Sequence, residues 1–178
     1  DLTPIPMPQI HKELLSMQTG LGSKIRCATD LKIELAAAKE IGHTVVLTNG
    51  CFDVIHAGHV SYLREAAKLG DVLVVGVNVD AQVKEQKGEG RPMYALEERM
   101  EILAELQCVT FVVSFEEPTA QELIRCVHPD LYVKGGDYSP DEINEYALLQ
   151  ELGVELQVLS ERPGRSSTKV IKELKEAT

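Results

Sequence analysis

Short apolar runs alternate with helix-forming segments through most of this chain, and that alternation limits the folds open to it. Five runs are typical of β-strands, at residues 44–48, 72–78, 109–114, 131–134 and 155–159. The run at 72–78 is almost continuously apolar, which is typical of a strand buried on both faces of a parallel sheet. Strands that alternate with helices predict a parallel sheet, because right-handed crossovers place the helices on its two faces.

The predicted fold class is therefore α/β: a Rossmann-like, doubly wound, five-stranded parallel sheet with helices on both faces. Capping residues and apolar periodicity predict the helices at 30–41 (capped by Asp30), 58–69, a short one capped by Asp80, 96–107, 119–127, 139–153 (opened by a capping box at Ser139) and one that begins at Ser166 or Ser167. Residues 84–92 contain two glycines among charged residues and predict a mobile loop. Ligands of such sheets bind beyond the carboxyl ends of the strands, so one edge is expected to hold the site.

The domain boundaries follow from composition. Residues 1–28 begin with a proline-rich stretch that cannot form a continuous helix or central strand, and they are predicted to be an N-terminal extension or linker. Residues 29–178 are predicted to form one domain. No apolar run reaches the length of a membrane span, and the start lacks a signal-peptide pattern, so we expect a cytoplasmic protein that does not contact membrane.

The charge balance narrows the class of partner. The chain has 18 basic and 28 acidic side chains, a formal net charge of −10, which argues against a general nucleic-acid binder. A protein this acidic that handles phosphates must concentrate its cations locally. The cations that lie in or beside the motifs are Lys84, Lys87, Arg91, Arg99, Lys134, Arg162, Arg165 and Lys169. The four cysteines have no metal-ligand spacing, and no protein-held metal is predicted.

The segment from Thr48 to His59 (TNGCFDVIHAGH) leads from a predicted strand into a predicted helix. Two histidines, His56 and His59, therefore lie at the opening turn of that helix, where free backbone N–H groups and the helix dipole favour an anion. Imidazoles there can donate hydrogen bonds to phosphate oxygens, although a histidine can also serve as a helix cap or a core residue. The segment indicates a phosphate-binding turn and nucleotide chemistry.

Four motifs in the same order resemble those of one family. They are NGCFD-x-x-H-x-G-H at 49–59, KG-x-GRP at 87–92, VKGGDY at 133–138 and GRSSTK at 164–169. The first and last resemble the signatures of the cytidylyltransferase-like nucleotidyltransferases, the H-x-G-H superfamily. All four together resemble the D-glycero-D-manno-heptose 1-phosphate adenylyltransferases, which occur alone or as the C-terminal half of a fusion with a kinase.

The resemblance implies roles for particular residues. It implies catalytic contacts to the phosphates from His56, His59 and Lys84. It implies nucleotide binding by Asn49, Gly50, Phe52, Gly58, Lys134, Gly135, Gly136, Asp137, Ser166, Ser167 and Thr168, and substrate binding by Lys87, Arg91, Arg99 and Arg165. Other interpretations are structural: core packing for Phe52, solvation for the lysines, an ion pair on its helix for Arg99 and helix capping for the serines. Asp53 is expected to fix the turn rather than to bind metal.

The implied reaction is transfer of AMP from ATP to D-glycero-D-manno-heptose 1-phosphate, with Mg²⁺ bound mainly through the nucleotide phosphates. The resemblance also implies a homodimer. One departure concerns residues 143–147 (INEYA), where the heptose enzymes carry a different segment. The alternatives are a glycerol-3-phosphate cytidylyltransferase or another CTP-dependent transferase, and a non-catalytic nucleotide-binding module.

Overall fold

A computed structural model describes residues 24–136, 138–160 and 171 of the 178-residue chain. It contains one sheet of five strands, all parallel, in the order β3-β2-β1-β4-β5. The strands are β1 (Val45–Gly50), β2 (Val72–Asn78), β3 (Phe111–Phe115), β4 (Leu131–Gly135) and β5 (Glu155–Leu159). The predicted α/β fold with a five-stranded parallel sheet is confirmed.

The helices cover both faces of the sheet, as predicted. They are α1 (Ala28–Glu40), α2 (Ala57–Ala67), α3 (Asp80–Lys87), α4 (Leu96–Ala104), α5 (Gln121–Val127) and α6 (Tyr146–Leu152), with a short 3₁₀ turn at Pro140–Glu142. Buried side chains of α1, α5 and α6 pack in one core layer, and those of α2 and α4 pack in the other. Within β1, Val45 and Leu47 belong to the first layer and Val46 to the second, as the alternation of a strand requires. All seven residues of β2 are buried, which the apolar run predicted.

Several predicted element ends were wrong. Asp30 does not cap α1: the cap is Cys27, whose Sγ accepts a hydrogen bond from the Asp30 backbone N–H at 3.5 Å. Asp80 is the first residue of α3, not its cap. Helix α3 continues through Lys87 because the first helix-breaking residue is Gly88, whose φ is +91°. The predicted loop therefore begins at residue 88 rather than 84.

The helix predicted at 139–153 is in fact two pieces. The Glu142 carboxylate accepts a hydrogen bond from the Ser139 backbone N–H at 2.8 Å, so the capping interaction is present. Ile143 then takes an extended conformation (φ −92°, ψ 116°) and buries its side chain, which ends the 3₁₀ turn before α6 begins. The closing helix predicted from Ser166 or Ser167 lies outside the described residues.

Residues 24–26 run beside β3 and close that edge of the sheet. Ile25 forms a parallel β-bridge to Val112, and the Val112 N–H donates to the Lys24 carbonyl at 2.9 Å. These contacts attach residues 24–26 to the edge of the sheet. None of the helices in the described ranges combines the length and the apolar character needed to cross a bilayer.

The strand order creates a crevice beside β1. From β1 the chain moves outward through β2 to β3, and it then returns to the other side of β1 to form β4. Connections that follow β1 and β4 thus leave the sheet in opposite directions at its carboxyl edge. Such a switch point is the usual ligand-binding place of a doubly wound sheet.

Candidate active site

A cleft of about 690 Å³ opens at this switch point. Its walls come from the carboxyl ends of β1, β2 and β4, the first turns of α2, the end of α3, and the segments before α5 and α6. The lining residues are Asn49, Gly50, Cys51, Phe52, Asp53, His56, Gly58, His59, Tyr62, Asn78, Gln86, Lys87, Arg91, Pro118, Thr119, Ala120, Lys134, Gly135, Tyr138, Glu142, Ile143, Asn144 and Glu145.

The two histidines form the N-terminal cap of α2. His56 is the N-cap, and its Nδ1 accepts a hydrogen bond from the Gly58 backbone N–H at 3.1 Å. The His59 Nδ1 accepts a longer one, 3.4 Å, from the His56 backbone N–H. The rings stack with their centroids 3.9 Å apart. Because both Nδ1 atoms act as acceptors, each neutral ring carries its hydrogen on Nε2 and is a donor through that atom.

His59 is kept neutral by its surroundings. Burial, and to a smaller extent the neighbouring His56, lower the pKa of its imidazole from 6.5 to about 4. The Phe52 ring contributes to the apolar surroundings, with its centroid 5.5 Å from that of His59. Phe52 has φ +46°, a left-handed backbone conformation that few non-glycine residues adopt. At neutral pH His59 is therefore an uncharged hydrogen-bond donor at a helix N-terminus.

Two glycines allow aromatic rings to lie against the backbone of the cleft. A Cβ at Gly50 would lie 3.1 Å from the Phe52 ring, and one at Gly135 would lie 3.1 Å from the Tyr62 ring. The Tyr62 hydroxyl contacts the Thr48 hydroxyl at 2.7 Å and donates to the Val133 carbonyl at 3.1 Å. Tyr62, which itself lines the cleft, thus joins α2 to β1 and β4.

Asp53 fixes the loop that follows α3. Its carboxylate, with 1% of the side chain exposed, forms an ion pair with the Arg91 Nε. It also accepts hydrogen bonds from the backbone N–H groups of Met93 (2.6 Å) and Tyr94 (3.2 Å). Arg91 is therefore held at the cleft by a carboxylate of the histidine-bearing turn.

Arg99 does not line the cleft, and the predicted contact with substrate does not fit its position. Its side chain is fully buried. The guanidinium donates to the carbonyls of Tyr94 (3.1 Å) and Cys51 (2.6 Å) and to the Asp80 carboxylate (2.6 Å). Because these three acceptors use its Nε, Nη1 and Nη2 atoms, Arg99 holds the turn after β1 against the start of α3 and the loop before α4.

Lys84 and Gly136 also lie outside the described cleft lining. The Lys84 side chain is 57% exposed, and its Nζ lies 3.2 Å from a carboxylate oxygen of Glu89. The structure therefore does not bring Lys84 to the histidines as the predicted catalytic role requires. Within α3, the last residues, Gln86 and Lys87, reach the cleft lining and Lys84 does not.

A chain of polar contacts crosses the end of β4. The Tyr132 hydroxyl donates to Asn49 Oδ1 at 2.5 Å and accepts from Lys134 Nζ at 3.2 Å. Lys134 Nζ lies 3.8 Å from the Glu145 carboxylate, which also accepts a hydrogen bond from the Ala120 backbone N–H at 3.2 Å. Burial raises the pKa of the Tyr132 phenol well above its ordinary value, and nearby Glu145 and Tyr62 raise it further.

Charges balance in the described part of the lining. Its three cations are Lys87, Arg91 and Lys134, and its three carboxylates are Asp53, Glu142 and Glu145. All three carboxylates accept hydrogen bonds from protein donors. In the described ranges, no group of three or more His, Cys, Asp or Glu side chains is arranged to hold a metal ion.

The structure thus brings most of the predicted residues to one cleft. These are Asn49, Gly50, Phe52, His56, Gly58, His59, Lys87, Arg91, Lys134 and Gly135. The predictions for Asp137, Arg165, Ser166, Ser167 and Thr168 lie outside the described residues.

Sequence reasoning missed other lining residues, chiefly Tyr62, Asn78, Thr119 and Glu145. Asn78 ends a predicted strand, and Tyr62 lies one helical turn after His59, so both positions carried a usable signal. The contributions of Thr119 and Glu145 depend on how two crossovers meet and had no such signal.

Fold and cleft together define an α/β protein with a nucleotide-type anion site: a doubly wound parallel sheet whose switch point meets a histidine-capped helix N-terminus. A sequence model of the cytidylyltransferase-like family matches residues 47–173, so the chain belongs to that family. Its activity class is nucleotidyl transfer.

Two curated proteins and one solved structure are similar to this chain. The bifunctional protein HldE of Aeromonas hydrophila subsp. hydrophila is 50% identical over 159 residues, which is 89% of this chain and 33% of that protein. HldE of Shigella dysenteriae serotype 1 is 49% identical over 159 residues, with the same coverage. The chain spans about a third of the length of the curated relatives it matches. A solved structure, the lipopolysaccharide core biosynthesis protein from Thermoplasma volcanium GSS1, aligns with a TM-score of 0.59 and 29% identity over 68% of this chain and 98% of that chain.

Proposed function

We propose that this chain transfers AMP from ATP to D-glycero-D-manno-heptose 1-phosphate and so forms ADP-heptose and pyrophosphate. The observation that carries the proposal is the pair of stacked imidazoles that cap α2 at the switch point. The four motifs that resemble the heptose adenylyltransferases and the identity of about half with HldE proteins support the choice of substrates. A structural relative from lipopolysaccharide core biosynthesis supports a role in a cell-surface glycan precursor.

The reaction needs positioning and charge stabilisation more than a base. An oxygen of the sugar phosphate, already ionised near neutral pH, attacks the α-phosphorus of ATP. One P–O bond forms while the bond between the α-phosphorus and the bridging oxygen breaks, and pyrophosphate takes the electron pair. His56 and His59 donate hydrogen bonds through their Nε2 atoms to the developing charge, and the positive end of the α2 dipole adds to this stabilisation. Lys87 and Arg91, which also line the cleft, contribute positive charge.

Magnesium fits this site as part of the substrate. Because Asp53, Glu142 and Glu145 already accept hydrogen bonds from protein donors, the described cleft offers the ion few free carboxylate ligands. Mg²⁺ held mainly by the triphosphate would neutralise part of its charge when it binds. A homodimer and a cytoplasmic location, where ATP is available, complete the proposal; the first of these rests on the family resemblance.

Pyrophosphate release in the presence of Mg²⁺ tests the function, with ATP and CTP each combined with heptose 1-phosphate and glycerol 3-phosphate. Of these four combinations, the proposal predicts turnover only with ATP and heptose 1-phosphate. Turnover with CTP and glycerol 3-phosphate would keep the reaction type and overturn the substrates. Nucleotide binding without pyrophosphate release in any combination would favour a binding module.

His59→Ala tests the catalytic assignment. We expect the variant to fold and to lose about 10²–10³ in turnover, the usual effect of removing one donor to a developing anion. His43→Ala, which removes a histidine outside the described cleft lining, is the control. A near-normal rate for His59→Ala would contradict the assigned role.

A further inference from the structure

Tyr132 connects two cleft-lining groups from beneath. It lies in β4 with its side chain fully buried, and it is not itself part of the lining. Its hydroxyl contacts Asn49 Oδ1 on β1 at 2.5 Å and Lys134 Nζ at 3.2 Å. Both of these partners line the cleft. The phenol therefore touches the two strands that flank the switch point while it has no access to a ligand.

The hydrogens in this chain of contacts have one consistent direction. A lysine ammonium has hydrogens only to donate, so the Tyr132 oxygen must accept from Lys134. The single phenol hydrogen is then donated to Asn49, which identifies the contacting amide atom as the oxygen. Because burial and the nearby Glu145 hold the pKa of Tyr132 well above its ordinary value, the phenol keeps this hydrogen throughout the working pH range. The Asn49 oxygen is thus committed, and its NH₂ group is left as the donor end.

We propose that Tyr132 is a positioning residue for nucleotide binding: it fixes the Asn49 amide with its NH₂ group available to the nucleotide and anchors the Lys134 ammonium beside it. Two donors set in this way select a ligand edge that carries acceptors, such as ribose oxygens, ring nitrogens or phosphate oxygens. The inference rests on the proposed nucleotide-binding role of the cleft and adds a buried residue that acts only through its neighbours.

The first test is Tyr132→Phe, which keeps the ring in the core and removes the hydroxyl. We expect equilibrium binding of ATP, measured without acceptor, to weaken about tenfold, the size of one hydrogen bond to a charged or oriented partner. In turnover assays KM for ATP should rise, while KM for the sugar phosphate stays within about twofold of the wild-type value. Tyr146→Phe is the matched control, because the Tyr146 hydroxyl accepts a hydrogen bond from Gln150 on α6 and lies outside the described cleft lining. Unchanged ATP affinity in Tyr132→Phe would overturn the proposal.

A double-mutant cycle separates positioning from a general loss of stability. The cycle compares the ATP affinities of Tyr132→Phe, Asn49→Ala and the double variant. If Tyr132 acts through Asn49, the loss of affinity in the double variant should be at least about fivefold smaller than the product of the two single losses. Effects that multiply would overturn the proposal. If Tyr132→Phe does not fold, Asn49→Asp still tests the orientation, since it keeps the acceptor for Tyr132 and removes the NH₂ donor. ATP binding should then fall at least about tenfold, and undiminished binding would refute the assigned orientation.

The cycle distinguishes this inference from the proposed function. Should the wild-type protein bind CTP rather than ATP, the substrates proposed above would be wrong, and the same cycle measured with CTP would still decide the role of Tyr132. A wild-type protein that binds neither nucleotide would overturn both proposals.

Discussion

The low pKa of His59 makes the stability of the free protein depend on pH in a defined direction. Folding lowers the pKa of this imidazole from 6.5 to about 4. Between these values the unfolded chain binds a proton that the folded protein does not bind at this site. The contribution of His59 to stability is therefore complete above about pH 6.5 and is lost as the pH falls toward 4.

The magnitude follows from the displacement of the pKa. At about 1.4 kcal/mol for each pKa unit, a fall from 6.5 to about 4 corresponds to at most on the order of 3 kcal/mol of unfolding free energy. Solvent reaches part of the ring, so we expect a measured value of about 2 kcal/mol. Below about pH 4 both states are protonated and the contribution no longer changes.

Urea unfolding of wild-type protein and His59→Asn, at several pH values between about 7.5 and 4.5, measures this effect. The wild-type protein should lose about 2 kcal/mol more than the variant over that interval. His43→Asn controls for the loss of a histidine outside the cleft lining. If wild type and His59→Asn lose stability in parallel, the burial argument is wrong. A bound triphosphate should raise the pKa of His59, because an adjacent negative charge favours the imidazolium, and NMR titration of the ring would show this.

Two further substitutions test contacts around the cleft. Asp53→Asn leaves Arg91 without its buried counter-ion, so urea unfolding should show a loss of about 3 kcal/mol or more. The control is Asp71→Asn, at an exposed carboxylate that accepts a hydrogen bond from the Thr44 backbone N–H, and it should cost about 1 kcal/mol or less. Equal losses would contradict the structural role assigned to the Asp53–Arg91 ion pair. Gly135→Ala places a Cβ 3.1 Å from the Tyr62 ring. Thermal unfolding should therefore show about 1–3 kcal/mol of destabilisation, and KM for the nucleotide should rise. A variant with wild-type stability and wild-type KM would refute the close packing.

The fold was predictable because the pattern of apolar residues that indicates a buried strand or helix is local in the sequence. The bounds of β2 and β5 agree with the predicted runs at 72–78 and 155–159, since apolar side chains and flanking turn residues define both. The position of the histidine turn was predictable for the same reason, because a parallel strand must be followed by a helix that starts at the carboxyl edge of the sheet.

The buried position of Arg99 was not predictable, because the groups that accept its hydrogen bonds come from three separate segments. An arginine on a helix is usually solvated, and nothing near it in sequence indicates that the carbonyl of Cys51, 48 residues away, will meet its guanidinium. Tyr132 carried a partial signal: it lies two residues before Lys134 in a strand, so both side chains point to the same face. Its contact with Asn49 depends on the pairing of β1 with β4, which the sequence did not specify.

The cap of α2 has a consequence for how this turn can vary. Most helices can exchange one capping residue for another serine, threonine, aspartate or asparagine at little cost. In α2 the capping atoms belong to the same imidazoles that line the cleft. The position at which the helix starts therefore determines the direction of both rings. Moving the helix start by a single residue would rotate its first turn by about 100° and carry the rings away from the switch point. We therefore expect insertions and deletions to be excluded between Asn49 and His59, and any length variation at this edge to accumulate in the segment after Gly88.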